Sequence, residues 1–350
     1  MNSLMALIKE IPKKMQSPIF TGEKRIAFME KDVPVPGPGE LLIRSKANAL
    51  CGSEKGFYLH GSDRLTPGHE AAGIVAAAGP ETIVKPGTPG VVFLMDFCGS
   101  CRSCKLGFTN QCLAKRADIG FSQDGGYGEY MVVHENIFFP IDAGLPFADA
   151  TLLLDIMGTG GHAIRRAVHA RQDIESVLVA GAGPIGLAIL AMAKILLGRE
   201  IPVFITDINP YRLELAERLG GIPIRVDQES IADRLKAGGL EAVDAALDSS
   251  GQTSARRACV DHLSKRGVLV CVGHGGEVNL EVSSDLIGPE RAVLGSEYFA
   301  FHEIEANAQL LRVHREYLSQ IITHRFPVER MQEASDLFFS GQCGKVVVEQ

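Results

Sequence analysis

The sequence predicts an α/β protein in two parts, a β-rich first part and a doubly wound parallel sheet with helices on both faces. Three observations carry that expectation. Over residues 1–156, short strand-like runs are punctuated by Pro34, Pro36, Pro38, Pro80, Pro86 and Pro89, together with glycines. Over residues 157–300, near-continuous apolar strands alternate with helical patterns, as parallel strands covered on both faces require. A G-x-G-x-x-G turn joins the first of those strands to its helix.

Length and composition agree with two domains. A chain of 350 residues exceeds what one hydrophobic core organises, and 46% hydrophobic with 22% charged residues is a globular balance. The formal net charge is −7, and basic residues come only in scattered pairs such as Lys115-Arg116 and Arg256-Arg257. A nucleic-acid partner needs clustered Lys and Arg, so none is expected. Residues 1–15 are mildly amphipathic and lack the order of a secretion signal, which makes the expected location cytoplasmic. Residues 177–197 are apolar enough to imitate a membrane span. Gly181, Gly183, Pro184 and Gly186 fall near the start of that stretch, so a strand, a turn and a buried helix are expected there and no membrane partner.

In the first part, residues 41–46 and 73–76 read as strands; in the second, residues 177–180, 203–206, 243–247 and 268–271. From about Phe301 the chain returns to mixed character and ends in Lys345-Val346-Val347-Val348, a strand able to pair back with the first part. The expected domains are therefore 1–156, 157–300, and a returning segment 301–350.

The turn Gly181-Ala182-Gly183-Pro184-Ile185-Gly186 follows one strand, opens a helix, and has Asp207 at the end of the next strand. Each part has a mechanical use in holding a dinucleotide. Gly181 permits the tight turn, Gly183 lets the backbone approach a pyrophosphate, and Gly186 lets helix and strand pack closely. The helix N-terminus offers free N–H groups and a positive dipole end to phosphates. Asp207 can accept hydrogen bonds from a ribose 2′-hydroxyl and would repel a 2′-phosphate, which favours NAD over NADP. Asn209-Pro210 reads as a helix cap followed by proline in the first turn. Arg212 lies either near the adenosine or on a solvated helix face.

Eight cysteines in a chain without a secretion signal do not make a disulfide framework. Four of them, Cys98-x2-Cys101-x2-Cys104-x7-Cys112, are spaced so that a tetrahedral Zn²⁺ can gather them from one loop. Four sulfurs leave no open position, so such a zinc is structural. An iron–sulfur cluster is the competing reading; the longer gap before Cys112 and the absence of Pro after it favour zinc.

Two further pieces complete a pattern. Cys51-Gly52-Ser53-Glu54 follows a strand-like run, and Gly68-His69-Glu70 begins seventeen residues after Cys51. Asp124-Gly125-Gly126-Tyr127-Gly128-Glu129-Tyr130 and the ending Gly344-Lys345-Val346-Val347 extend it over nearly the whole length. With the cysteine cluster and glycine turn in this order, the chain resembles the zinc-containing medium-chain alcohol dehydrogenases, in their polyol (sorbitol-like) and threonine branches.

The resemblance implies a GroES-like β-rich catalytic domain closed by the C-terminal segment, and an inserted Rossmann domain. It implies two zinc ions per chain, NAD, and a homodimer or homotetramer. Cys51 and His69 become catalytic zinc ligands, with Glu70 a neighbouring or exchanging one. Asp155, seven residues before His162 and followed by Ile156 where Pro is usual, becomes the third ligand. Ser53 would relay a proton outward. The usual relay histidine is replaced by Gly56, and His60 is the nearest substitute.

A zinc with one thiolate, one imidazole and one carboxylate keeps a position open, where an alcohol O–H is acidified while the nicotinamide accepts the hydride. The implied reaction oxidises a secondary alcohol (a polyol, sugar alcohol or cyclitol) to a ketone. Phe57, Phe121 and Tyr298 are candidate pocket walls. The polyol branch carries an Arg near the nicotinamide where this chain has Gly295-Ser296-Glu297-Tyr298-Phe299. That departure keeps a threonine-type amino-alcohol dehydrogenase open, with Glu297 facing the substrate ammonium. A catalytically inactive zinc-binding relative is the alternative from another class.

Overall fold

The four apolar side chains of the strand Val177–Ala180 are all buried, as a strand covered on both faces demands. In the computed structural model, which describes residues 11–350, this strand lies at the centre of a six-stranded, all-parallel sheet. Residues 1–10, most of the amphipathic start, lie outside the described residues. The strands run in the order Ile222–Arg225, Val203–Asp207, Val177–Ala180, Val243–Asp248, Leu263–Cys271, Ala292–Gly295. The order reverses between Val177–Ala180 and Val243–Asp248, and in such sheets ligands bind beyond the carboxyl ends of the strands at that point. Ile222–Arg225 carries Pro223 and occupies the sheet edge, the position where a strand tolerates a missing N–H.

The apolar stretch 177–197 resolves into the strand, the glycine turn and the helix Pro184–Leu196. No helix among the described residues is long and apolar enough to cross a membrane. The Asn209 side chain accepts a hydrogen bond from the Tyr211 N–H at 3.0 Å and caps the helix Pro210–Arg218, as its place before Pro210 predicts.

The other large sheet has the order Ile322–Pro327, Lys345–Glu349, Glu40–Ala49, Glu70–Ala78, Pro89–Val92, Phe138–Pro140, with Tyr130–His134 also paired to Glu40–Ala49. The C-terminal strand does return to the first part: Val347 lies opposite Ala49 in antiparallel register. On the other side of Glu40–Ala49, Ala49 lies opposite Glu70. Continuing the first register by two residues places Lys345 beside Cys51. Three strands remote in sequence thus deliver Lys345, Cys51 and Glu70 to one end of the sheet.

One apolar core runs through both sheets, joined by Leu152, Leu153, Leu154, Ile156 and Met157 and by Tyr298 and Phe299. Ile156 is fully buried; an aliphatic side chain taken out of water in this way stabilises by about 1.5–3 kcal/mol. The residue beside Asp155 is therefore anchored in the core.

Candidate metal centres and coenzyme cleft

Cys51, His69, Glu70 and Asp155 each place a donor atom within 4.8 Å of the others. Cys51 follows the strand Glu40–Ala49, and His69 immediately precedes Glu70–Ala78. Asp155 starts a wide π-type turn, Asp155–Thr159, that runs into the helix Gly160–Ala170; such turns recur at functional sites. Its side chain caps no helix. Asp155 Oδ2 accepts from Cys51 Sγ at 3.1 Å and lies 3.8 Å from His69 Nε2.

Behind these donors stands a buried supporting layer. The Tyr127 hydroxyl donates to Glu54 Oε2 at 2.6 Å, and Glu54 Oε1 lies 3.3 Å from His69 Nδ1. A carboxylate beside the rear nitrogen favours the ring orientation in which Nε2 faces Asp155, although neither Glu54 Oε1 nor His69 Nδ1 completes a hydrogen bond. Lys345, 1% exposed, donates to Glu70 Oε1 and has Asp155 Oδ2 at 3.8 Å. Burial would lower the His69 imidazole, but Asp155, Cys51 and Glu54 outweigh it and hold it well above its ordinary value. Burial pushes Asp155 up; Lys345 and His69 more than reverse this and keep it ionised. Glu70, desolvated and repelled by Asp155, is driven well above the usual carboxylate range despite Lys345. Glu70 Oε2 is buried without a hydrogen-bond partner. Three acidic groups around one lysine, with an orphaned oxygen among them, form a donor set that fits a divalent cation.

The second cluster is the cysteine lobe. Cys98, Cys101, Cys104 and Cys112 are free of disulfides, and their sulfurs lie within 4.8 Å of one another. Cys101 Sγ is 3.5 Å from Cys104 Sγ and 3.9 Å from Cys112 Sγ. Those separations bracket the roughly 3.8 Å edge of a tetrahedron with Zn–S bonds of about 2.3 Å. Backbone N–H groups point at sulfur: Cys98 to Cys112 at 3.3 Å, Cys101 to Cys98 at 3.3 Å, and Leu113 to Cys101 at 3.4 Å. Hydrogen bonds from Ser100 and Cys101 bring the Cys98 thiol down to about 6, while burial and neighbouring thiols push Cys104 up to about 12.

The first cluster opens on a cleft of about 680 Å³. Cys51, Ser53, His69 and Asp155 form one wall; Ile185, Ser249 and Gly273, from the carboxyl end of the parallel sheet, form the other. Phe121 and Tyr298 line it too. Phe57 stands behind Phe121, its ring centroid 5.7 Å away, and is not on the wall. His60, exposed at the end of the helix Lys55–His60, is also absent from the wall, and Lys55 at the start of that helix is present. His162 Nδ1 is 2.6 Å from Glu303 Oε1 and takes no part in the donor cluster. A cavity of similar size beside the helix Glu303–Leu318 holds no donor cluster.

Each glycine of the turn meets the requirement read from the sequence. Gly181 has φ +92°, and a Cβ on Gly186 would stand 1.8 Å from the Gly181 carbonyl. A Cβ on Gly183 would meet only the Arg212 guanidinium at 3.8 Å, so that side of the turn is open. Asp207 Oδ2 accepts from the Ala182 N–H at 2.8 Å, which holds the carboxylate against the turn.

Residues 37–143 match the family model described as an alcohol dehydrogenase GroES-like domain, and residues 184–312 match that of the zinc-binding dehydrogenases. An uncharacterized zinc-type alcohol dehydrogenase-like protein, YphC of Escherichia coli (strain K12), is 31% identical over 96% of this chain and 99% of its own. The chain belongs to the zinc-binding alcohol dehydrogenase family. L-threonine 3-dehydrogenase of Shewanella sp. (strain W3-18-1) is 32% identical over 93% of this chain and 96% of that one. A solved structure from E. coli CFT073, described as a short chain alcohol dehydrogenase (rspB) with NADH, superposes with a TM-score of 0.84 at 24% identity, over 97% of this chain and 100% of that one. That likeness speaks for the fold. Membership makes the chain an oxidoreductase with zinc sites, and the two clusters are where its donors gather.

Sequence reasoning quoted Glu54, Tyr127 and Lys345 within its motifs but gave them no role. The available signal was an acidic residue three positions after Cys51 and a lysine opening an otherwise apolar strand.

Proposed function

We propose that the protein oxidises a secondary alcohol, of the polyol, sugar-alcohol or cyclitol class, to a ketone with NAD as hydride acceptor. The observation that carries this reading is that the Cys51–His69–Glu70–Asp155 cluster and the carboxyl end of the doubly wound sheet face each other across one cleft. Cys51, His69 and Asp155 would hold the catalytic zinc. Glu70 would stand beside it, its Oε1 already engaged by Lys345. Cys98, Cys101, Cys104 and Cys112 would hold the structural one. Zinc in the open site supplies Lewis acidity toward the alcohol O–H, and NAD supplies the hydride acceptor.

The chain's own groups do the rest. Glu54 orients His69, and Ser53, exposed on the cleft wall, passes the proton outward. The Tyr298 side chain bounds the space open to the alcohol, with its hydroxyl buried inside the cleft wall. Pro184 and Ile185 start the helix whose N–H groups receive the pyrophosphate. Arg212 flanks the open side of Gly183, and Asp207 takes the ribose hydroxyls. Glu297, on the cleft wall with its carboxylate 3.6 Å from His274, supports a second reading in which the substrate is an amino alcohol. The edge strand Ala292–Gly295 supports a homodimer or homotetramer, since an unpaired edge is a template for a second copy. We place the enzyme in the cytoplasm.

The test is a screen of sugar alcohols, cyclitols and amino alcohols with NAD, followed by absorbance of the reduced coenzyme, on protein of measured zinc content. Two zincs per chain are expected, and a chelator should strip the open site first, abolishing turnover while the fold persists. One zinc per chain in fully metallated protein would point instead to an inactive relative. Asp207→Ser should relax the coenzyme preference by roughly tenfold or more, as one charge repulsion against a 2′-phosphate disappears. Unaltered protein that bound NADP as tightly as NAD would overturn that role.

A further inference from the structure

We infer that the cysteine lobe shapes the alcohol pocket as well as stabilising the fold, with Thr109 and Asn110 acting as positioning residues for Tyr298. The inference rests on reading the cleft as an alcohol site.

Tyr298 has φ +47°, a left-handed conformation that an aromatic residue keeps only where its surroundings over-determine it. Two side chains of the lobe grip the backbone on either side of it. Asn110 Nδ2 donates to the Glu297 carbonyl at 2.7 Å, in the peptide that leads into Tyr298. Thr109 Oγ1 accepts from the Phe301 N–H at 2.8 Å. Both side chains are 8% exposed, and both lie in the single turn Thr109–Gln111 that immediately precedes Cys112.

The other end of the lobe touches the same segment. Phe97, which adjoins Cys98, packs on Phe301 with ring centroids 5.5 Å apart. Phe93 lies 5.1 Å from the rings of both Tyr298 and Phe299. The loop that carries four thiolates is thus pinned at both ends to residues 297–301. Tyr298, 7% exposed, projects from that segment and forms part of the cleft wall. When the four sulfurs are gathered, the turn 109–111 is fixed, and with it the 297–298 peptide that leads into Tyr298 and the 300–301 peptide that follows it.

The chain contains six tyrosines and no tryptophan, which makes Tyr298 observable by itself. In zinc-replete, full-length protein labelled with 3-fluorotyrosine, the missing resonance of Tyr298→Phe identifies Tyr298. Thr109→Val and Asn110→Asp should each shift that resonance and leave the other five in place, at unchanged zinc content. They should raise KM for the alcohol that turns over fastest by roughly tenfold, the scale of one lost hydrogen bond, with little change in kcat. Thr109→Ser keeps the accepting oxygen and should match the unaltered protein. Asn110→Ser, which puts a shorter hydroxyl in place of the amide without adding charge, replaces Asn110→Asp if that variant does not fold.

A Tyr298 resonance that stays put in the Val and Asp variants overturns the inference, as does a Thr109→Ser variant that moves it equally. So does a lowered melting temperature with KM unchanged, which would mark Thr109 and Asn110 as structural only. A shifted resonance in a protein that oxidises no alcohol would leave the coupling standing and remove the proposed reaction.

Discussion

Replacing Lys345 with Met should destabilise the protein by about 3–5 kcal/mol, the scale expected when one member of a buried ion pair is removed and the other remains. Lys345 is 1% exposed, and its ammonium meets the fully buried Glu70 and lies 3.8 Å from Asp155. Methionine fills most of the volume but supplies no charge, so two carboxylates stay buried beside the Cys51 thiol. The formal count is instructive: Cys51, Glu70 and Asp155 bring three negative charges when ionised, and a divalent ion with Lys345 balances all three. Thermal unfolding at fixed zinc should therefore show a midpoint lower by roughly 5–15 °C for Lys345→Met. Adding Glu70→Gln should recover part of the loss, because the desolvated carboxyl that has lost its ammonium partner is then gone. Unchanged melting of the single variant, or no recovery in the double, would show that Lys345 does not neutralise this cluster.

Much of the scaffold was legible because its causes are local. Residues 177–180 are four apolar side chains followed by a glycine that must take a positive φ, and both facts belong to the sequence itself. The cap at Asn209 and the place of Asp207 at a strand end follow from neighbours two residues away. The supporting layer is different. A lysine between Gly344 and Val346 reads as a solvated strand end, and its burial exists only because the last strand pairs with Glu40–Ala49 in one register. Glu54 offers no sign, within its own run, that Tyr127 and His69 will enclose it. The edge strand Ile222–Arg225 was hidden by Pro223, whose tolerance depends on an unpaired neighbour side that composition cannot reveal. The hairpin Lys14–Gly22 with Arg25–Asp32 was missed for a related reason: the second strand is largely exposed and carries four charged residues, so it lacks an apolar period.

Asp155→Asn should be the most damaging single-atom change in the molecule for catalysis. Asp155 Oδ2 sits 3.1 Å from Cys51 Sγ and 3.8 Å from His69 Nε2, with Lys345 keeping it ionised against burial. An amide oxygen has the same reach but no charge, and a neutral oxygen is a weaker donor to zinc than a carboxylate. The amide also brings N–H donors into a site where the ammonium of Lys345 already stands 3.8 Å away. Zinc content should fall from two toward one per chain, and turnover by about a hundredfold or more, since even changes behind a ligand cost ten- to a hundredfold. NAD affinity should change little, because the groups proposed for the coenzyme lie apart from the four donors: Ile185 is on the opposite wall and Asp207 is held against the glycine turn. Cys98→Ser serves as the contrast: it should cost stability first, since the lobe ties to the chain through Asn110 and Thr109 and offers no open position for substrate. An Asp155→Asn enzyme with two zincs and normal turnover would refute the assignment. Glu70, whose Oε2 is buried and unpartnered in the same cluster, would then be the third donor, and Glu70→Gln should lose the metal that Asp155→Asn had kept.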